Sequence, residues 1–167
     1  LPPDVAVNYG VTGPNLRASG VKWDLRKNET YSIYDRFDFE VPVGEGMKGT
    51  VGDCWDRYYV RMIEIRESVK IVRQALAKMP KDGDVHKAVP KKIRPPKGSI
   101  YSRTESSRGD LGYYIISDGT PTPSRVKMRS PSFASLSAIS EISEGWMMSD
   151  MISVLGSLDI VLGEIDR

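Results

Sequence analysis

An α+β fold is what this sequence predicts, and three observations carry the prediction. Residues 53–79 repeat apolar side chains at the spacing of one long helix. Residues 99–130 show strand-like alternation around turn residues. Residues 132–162 return to helical spacing. At 167 residues with 40% hydrophobic content, the chain is long enough for one domain with a real core.

Taken in order, residues 1–50 read as an ordered loop-and-turn region, because Gly10, Gly13, Pro14 and Gly20 punctuate it and helical periodicity is poor. Trp23, Tyr31, Tyr34, Phe37 and Phe39 exclude disorder. Within it, YDRFDFEVPV alternates Phe37, Phe39 and Val41, a short strand signal. The helix follows, with Asp53 as N-cap and Asp56 in the first turn. Its apolar stripe runs through Cys54, Tyr58, Met62, Ile65, Val69, Val72 and Leu76. Pro80 and Gly83 end it.

A basic, proline-interrupted connector (PKKIRPPKG) leads to a β-hairpin. Leu111, Tyr113 and Ile115 alternate with Gly112, Tyr114 and Ile116, as in a strand buried on both sides. Ser117-Asp118-Gly119 forms a turn, and Ser124 to Arg129 is the returning strand. Ser132 then caps a short helix to about Ile142, and a final helix runs from Ser149 to Leu162.

The formal net charge is +2, which gives no global case for a nucleic-acid binder. It is unevenly spread. Val85 to Arg108 holds seven Lys/Arg and one acid, whereas Glu141 to Arg167 holds six acids and one base. Two surfaces meeting two kinds of partner would account for this. A single cysteine, Cys54, excludes an intrachain disulfide and a cysteine-ligated metal site, and reads as a packed thiol. The only histidine, His86, has no triad pattern around it and reads as a loop residue. The longest apolar stretch, Met147 to Leu162, is broken by Asp150 and Asp159 and is no transmembrane span. No signal peptide is evident, and the opening Leu1-Pro2-Pro3 reads as sequence from within a longer protein.

Asp159 is the leading site candidate. It shares a helical face with Ile152, Leu155 and Leu162, where a bare carboxylate costs several kcal/mol. It is either an acid lining a polar cavity or one half of a buried salt bridge, to Arg167 or to an arginine of the hairpin. Arg103, Arg108, Arg125, Lys127 and Arg129 cluster around the hairpin without the interleaved aromatics of single-strand binders, and Arg108, Arg125, Lys127 and Arg129 read as a protein interface. The glycines of YGVTGP and SRGDLGYY lack a dinucleotide fingerprint and read as turns and points of close backbone approach.

Four segments support more. GVTGPNLRASGVKWDLRK (residues 10–27), YSIYDRFDFEVPV, RGDLGYYIISDGTPTPSRVKMRSPSF (108–133) and DIVLGEIDR (159–167) together resemble the D-type quinone-reductase family of respiratory complex I. That family is homologous to the large subunit of nickel–iron hydrogenases. The resemblance implies that residues 1–167 are the C-terminal part of one hydrogenase-large-subunit-like domain. It implies an oxidoreductase of electron transport and proton translocation, in which this subunit helps hold quinone against an iron–sulfur cluster on a small neighbouring subunit. No metal is implied in this chain, since hydrogenases hold theirs with paired cysteines and the C-terminal pair is missing.

By the same resemblance, Asp159 tunes protonation, Val161 is an apolar wall, Arg167 anchors an ion pair, and Gly163 and Glu164 lie beside the pocket. The headgroup-binding histidine and tyrosine belong to the family's N-terminal half, so His86 does not inherit that role. Partners are the cluster-bearing subunit, other peripheral-arm subunits, quinone and, indirectly, the membrane arm, with no nucleic acid. The location implied is the cytoplasmic, matrix or stromal side of a membrane. The isolated piece is expected to be inactive and to self-associate through the long helix. The competing reading is a basic module that recruits nucleic acid or an acidic protein through residues 85–129.

Overall fold

The computed structural model describes residues 1–166. Three short helices open the chain: α1 (Pro3–Asn8), α2 (Gly13–Ala18) and α3 (Leu25–Asn28), followed by a 3-10 turn at Tyr34–Arg36. This corrects the loop reading of residues 1–50. The prolines that suggest loop punctuation sit at the starts of α1 and α2, where the missing N–H costs nothing. Helices of four to six residues are too short to display a 3.6-residue period.

The long helix α4 (Cys54–Lys78) starts where Asp53 accepts a hydrogen bond from the Asp56 backbone N–H at 2.8 Å. Its apolar stripe faces away from the body. Asp56, Arg57, Val60 and Glu67 are buried, whereas Tyr58, Met62, Ile65, Val69, Val72 and Leu76 are exposed. The periodicity locates the helix, and polar groups with specific partners line the body side.

One such partner is the segment with the strand signal. Phe37, Phe39 and Val41 do share a buried cluster, packed on Ile71 and Ala75 of α4. The segment nevertheless pairs with no strand. Its backbone is satisfied by α4 side chains: Gln74 accepts from the Asp38 N–H at 2.9 Å and donates to its carbonyl at 2.6 Å, and Glu67 accepts from the Glu40 N–H at 2.9 Å. Extended backbone needs hydrogen bonds from somewhere, and a helix face supplies them here.

The β section is a three-stranded antiparallel meander, β1 (Gly98–Ser106), β2 (Gly109–Ser117) and β3 (Arg125–Arg129), in the order β1-β2-β3. Thr104 faces Leu111, and Gly112 faces Arg129. Burial on both sides holds only at the β2 start, where Gly109, Asp110 and Gly112 are buried; Tyr113 and Tyr114 are exposed. That buried end meets α2, and two glycines make the approach possible. Gly13 has φ +68°, and any side chain there would collide with the backbone of Gly109.

The C-terminal section is α5 (Pro131–Ser137), α6 (Ile139–Ser143), α7 (Met148–Leu158) and α8 (Leu162–Ile165). Ser130, rather than Ser132, caps α5 by accepting from the Phe133 N–H at 3.3 Å. The second core cluster, Ala6, Val11, Leu16 and Ala138, joins this section to α1 and α2. No described helix is long and apolar enough to cross a membrane.

Candidate functional site

Asp159 does not lie on a helical stripe. The helix α7 stops at Leu158, and Asp159 follows it in the left-handed conformation, φ 52° and ψ 52°. Among the described residues, only Ser32 shares a positive φ without being glycine. A short polar side chain tolerates that region better than most. The sequence pattern hides the break because the apolar residues continue through it.

The turn is held from three directions. Arg108, in the β1–β2 turn, donates from Nε to the Asp159 carbonyl at 2.9 Å and from Nη2 to its carboxylate at 3.1 Å. Arg61 of α4 forms an ion pair with the other carboxylate oxygen at 3.8 Å. Arg61 also donates to the Ser157 and Leu158 carbonyls at 2.6 and 3.1 Å, and to Asn15 Oδ1 at 2.7 Å. Those carbonyls are at the C-terminus of α7, where a cation complements the helix dipole. Asn15 of α2 donates to the same Leu158 carbonyl at 3.0 Å and to Ser135 Oγ of α5 at 3.1 Å.

Asp159 is thus an ion-paired acid with an arginine of the hairpin as partner, one of the two expectations for it, yet it is not sealed. Its side chain is 44% exposed. Burial pushes the Arg61 guanidinium below its usual range, and Asp159 offsets that only in part. The arrangement is a carboxylate gripped from two sides and open to solvent.

The other tail residues fall into different roles. Val161 is half-buried, and its N–H donates to Ser132 Oγ at 3.3 Å. Glu164 accepts from the Ser132 N–H at 3.2 Å and from Ser130 Oγ at 3.3 Å, so it ties α8 to the start of α5. Gly163 is exposed within α8, with open space around it. Arg167 lies outside the described residues. In the basic face, Arg108 is committed to Asp159. Arg129 donates to Thr12 Oγ1 at 2.9 Å and to the Gly10 and Asp110 carbonyls. Both arginines are clasps that fix the sheet to the body. Arg125 and Lys127 remain on the exposed strand β3.

A second charged cluster, with no counterpart among the sequence expectations, ties β1 to α2 and α4. Arg17 is 1% exposed. Its guanidinium meets Glu64, Glu105 at 2.8 Å, Asp24 at 3.6 Å and the Trp23 carbonyl at 3.0 Å. Burial pulls Arg17 down, but Glu64 and Glu105 outweigh it and the net direction is upward. Glu105 stands at the end of β1 and accepts from the Leu25 N–H at 3.3 Å, so it pins the strand that leads to Arg108. No short-range signal marks this cluster, since Glu64 and Glu105 lie 47 and 88 residues from Arg17.

Cys54 is half-buried; its sulfur accepts from Arg57 at 3.2 Å and from Ser157 at 3.5 Å. His86 is an exposed loop residue. Among the described residues, no group of His, Cys, Asp or Glu could hold a metal ion. A cavity of about 720 Å³ opens between the N-terminal segment, the start of α4 and the α6–α7 region, lined by Val5, Cys54, Arg57, Trp146 and Val154 among others. None of the described tail candidates lines it.

A family model for the 49 kDa subunit of the respiratory-chain NADH dehydrogenase matches residues 1–97 and 83–167. The D-type subunit of the NADH-quinone oxidoreductase of Chlorobium luteolum is 54% identical, and that of Chlorobaculum tepidum 52%. The corresponding protein of Cytophaga hutchinsonii, the first of its D-type subunits, is 51% identical. Each alignment takes in all of this chain, which spans 42–44% of the length of these relatives.

Proposed function

The chain belongs to the 49 kDa subunit family of the respiratory-chain NADH dehydrogenase, and from that premise we propose that it forms part of the quinone-reducing site of an NADH-quinone oxidoreductase. In this reading the fold is that of a hydrogenase large subunit whose metal cavity has become a quinone pocket. The tail from Asp159 to Arg167 is one wall of that pocket. The remaining walls come from the rest of the subunit and from a small subunit that carries the last iron–sulfur cluster. The chain sits in the peripheral arm, on the cytoplasmic, matrix or stromal side, and touches the membrane arm only indirectly.

Reduction of a quinone to the quinol consumes two electrons and two protons. The electrons come one at a time from the cluster of the neighbouring subunit. This chain's share is positional and electrostatic. Asp159 holds or passes a proton beside the headgroup, Val161 gives the wall an apolar surface, and Arg167 anchors an ion pair at the tail's end. Gly163 and Glu164 complete the segment, with Glu164 fixing its distance from α5.

The observation that carries the reading is the state of Asp159: gripped by Arg61 and Arg108, yet with nearly half of its side chain open. The open side leaves room for a ligand group beside the carboxylate. The names of the relatives add the quinone. The test is Asp159→Asn in the assembled enzyme. Quinone reductase activity is expected to fall about tenfold or more, with a displaced pH profile. Stability of the chain should change by less than about 1 kcal/mol, as for other solvent-accessible ion pairs. Unchanged activity and an unchanged pH profile would end the proton-handling role.

A further inference from the structure

The Arg61 guanidinium is held in place by acceptors that carry no charge. Nη1 donates to the Arg57 and Ser157 carbonyls at 3.1 and 2.6 Å. Nη2 donates to Asn15 Oδ1 at 2.7 Å and to the Leu158 carbonyl at 3.1 Å. Those bonds occupy the terminal N–H groups of the fork. The N–H that remains is on Nε, the atom 3.8 Å from the Asp159 carboxylate. Among the described residues, no other carboxylate lies within ion-pair distance of Arg61. Neutral acceptors fix where a cation sits without cancelling its charge, and that charge is left to act on Asp159.

Of these acceptors, only Asn15 is a side chain. It is 3% exposed. Its amide nitrogen donates to the Leu158 carbonyl at 3.0 Å and to Ser135 Oγ at 3.1 Å, and Ser135 is also buried. Those two donations decide which end of the amide faces Arg61. The site needs one group that accepts from a guanidinium and donates to a carbonyl and a hydroxyl. An aspartate keeps the shape but donates nothing and adds a charge, and a leucine neither donates nor accepts.

We propose that Asn15 is a positioning residue for Asp159. Its neutral oxygen sets the Arg61 guanidinium against the tail and leaves the positive charge to the carboxylate there. The effect passes through Arg61, and it rests on the reading of Asp159 as the acid of a quinone pocket. Among the described residues, the charged groups facing Asp159 are Arg61 of α4 and Arg108 of the β1–β2 turn. A carboxylate at position 15 would stand nearer to Arg61 than Asp159 does. It would compete for that cation and leave Arg108 as the undivided partner of Asp159.

The test compares Asn15→Asp with Asn15→Leu in the assembled enzyme. Asn15→Asp should move the pH profile of quinone reduction upward by about 0.5 or more, because a carboxylate that loses a nearby cation releases its proton less readily. Asn15→Leu should lower the yield of assembled enzyme, as the loss of buried hydrogen bonds does, but move the profile much less, since Arg61 keeps its charge. With Asp159→Asn also present, Asn15→Asp should move nothing further. Arg61→Gln removes the cation without burying a new charge. It should reproduce the upward displacement even where Asn15→Asp fails to assemble. Equal displacement by Asn15→Asp and Asn15→Leu would reduce Asn15 to packing and overturn the proposal. So would a displacement that survives beside Asp159→Asn, or a profile left in place by Asn15→Asp in assembled enzyme or by Arg61→Gln. Failure of the underlying reading looks different: Asp159→Asn alone would then leave both activity and profile unchanged, and the proposal would fall with it.

Discussion

Two clusters in this molecule are built from the same parts, and they differ in one respect. Beneath the sheet, Arg17 is surrounded by Asp24, Glu64 and Glu105, and both Arg17 and Glu105 are almost wholly out of solvent. At the tail, Asp159 lies between Arg61 and Arg108, with 44% of its side chain exposed. Each cluster joins elements far apart in sequence. In the sealed one Arg17 is almost closed off from water and every charge depends on the others. The open one has a free side. Enclosure therefore separates a fastener from a site candidate, although ion-pair distances alone would not distinguish them.

The sharpest way to break this contrast is to remove the centre of the sealed cluster. Arg17→Ala leaves three carboxylates crowded together with only Arg26 nearby, and is expected to cost about 3–5 kcal/mol, measured by urea denaturation. A loss below about 1 kcal/mol, the range of solvent-accessible pairs, would mean that water reaches the cluster, and the contrast would collapse. Arg17→Lys should recover only part of the loss, because an ammonium cannot reproduce the fork that reaches Glu64 and Glu105 together.

Next in size is Arg61→Ala. Arg61 carries the two α7 carbonyls and the Asn15 contact besides its ion pair with Asp159. Its loss is expected to cost about 2 kcal/mol, as for charged hydrogen bonds to buried acceptors. Amide exchange from Ser157 to Val161 should accelerate, while exchange in β1 stays unchanged. Uniform acceleration through the whole chain would show that Arg61 supports the fold at large and not the tail in particular.

What is legible in the sequence follows from this difference in range. Local rules find the long helix, its Asp53 cap and the Ser117-Asp118-Gly119 turn, because each is decided within a few residues. They fail where partners are remote. Nothing around Arg17 announces Glu105, and the apolar run from Leu155 to Leu162 hides a left-handed residue at Asp159. The stripe on α4 is a related case. Periodicity says that one face is apolar, but only the contacts say which face the body takes. The tail stands out from sequence alone, as an acid set in an apolar run. Its grip by Arg61 carries no sequence signal, since that arginine lies within α4 among residues of every kind.

The smallest effect tests the sealed cluster from within, through pH. Burial pushes Glu105 above the usual carboxylate range, and Arg17 offsets this only in part. Asp24 is also penalised by burial, but Arg26 and Arg17 more than reverse it and hold its carboxyl below that range. The two acids therefore pull stability in opposite directions. The contribution of Glu105 is full below its unfolded pKa, near about 4.3, and is lost as pH rises through its raised folded value. That of Asp24 is present above its unfolded pKa, near about 3.9, and is lost as pH falls through its lowered one. Glu105→Gln should flatten the decline in urea midpoint on the upper side of that range, by less than either arginine substitution changes stability, and leave the acid limb standing. Asp24→Asn should do the reverse. If Glu105→Gln left the upper slope intact, Glu105 would be exchanging protons with solvent as freely as an exposed acid. The sealed cluster would then be no more closed than the tail, and the distinction between fastener and site would have to rest on something other than access to water.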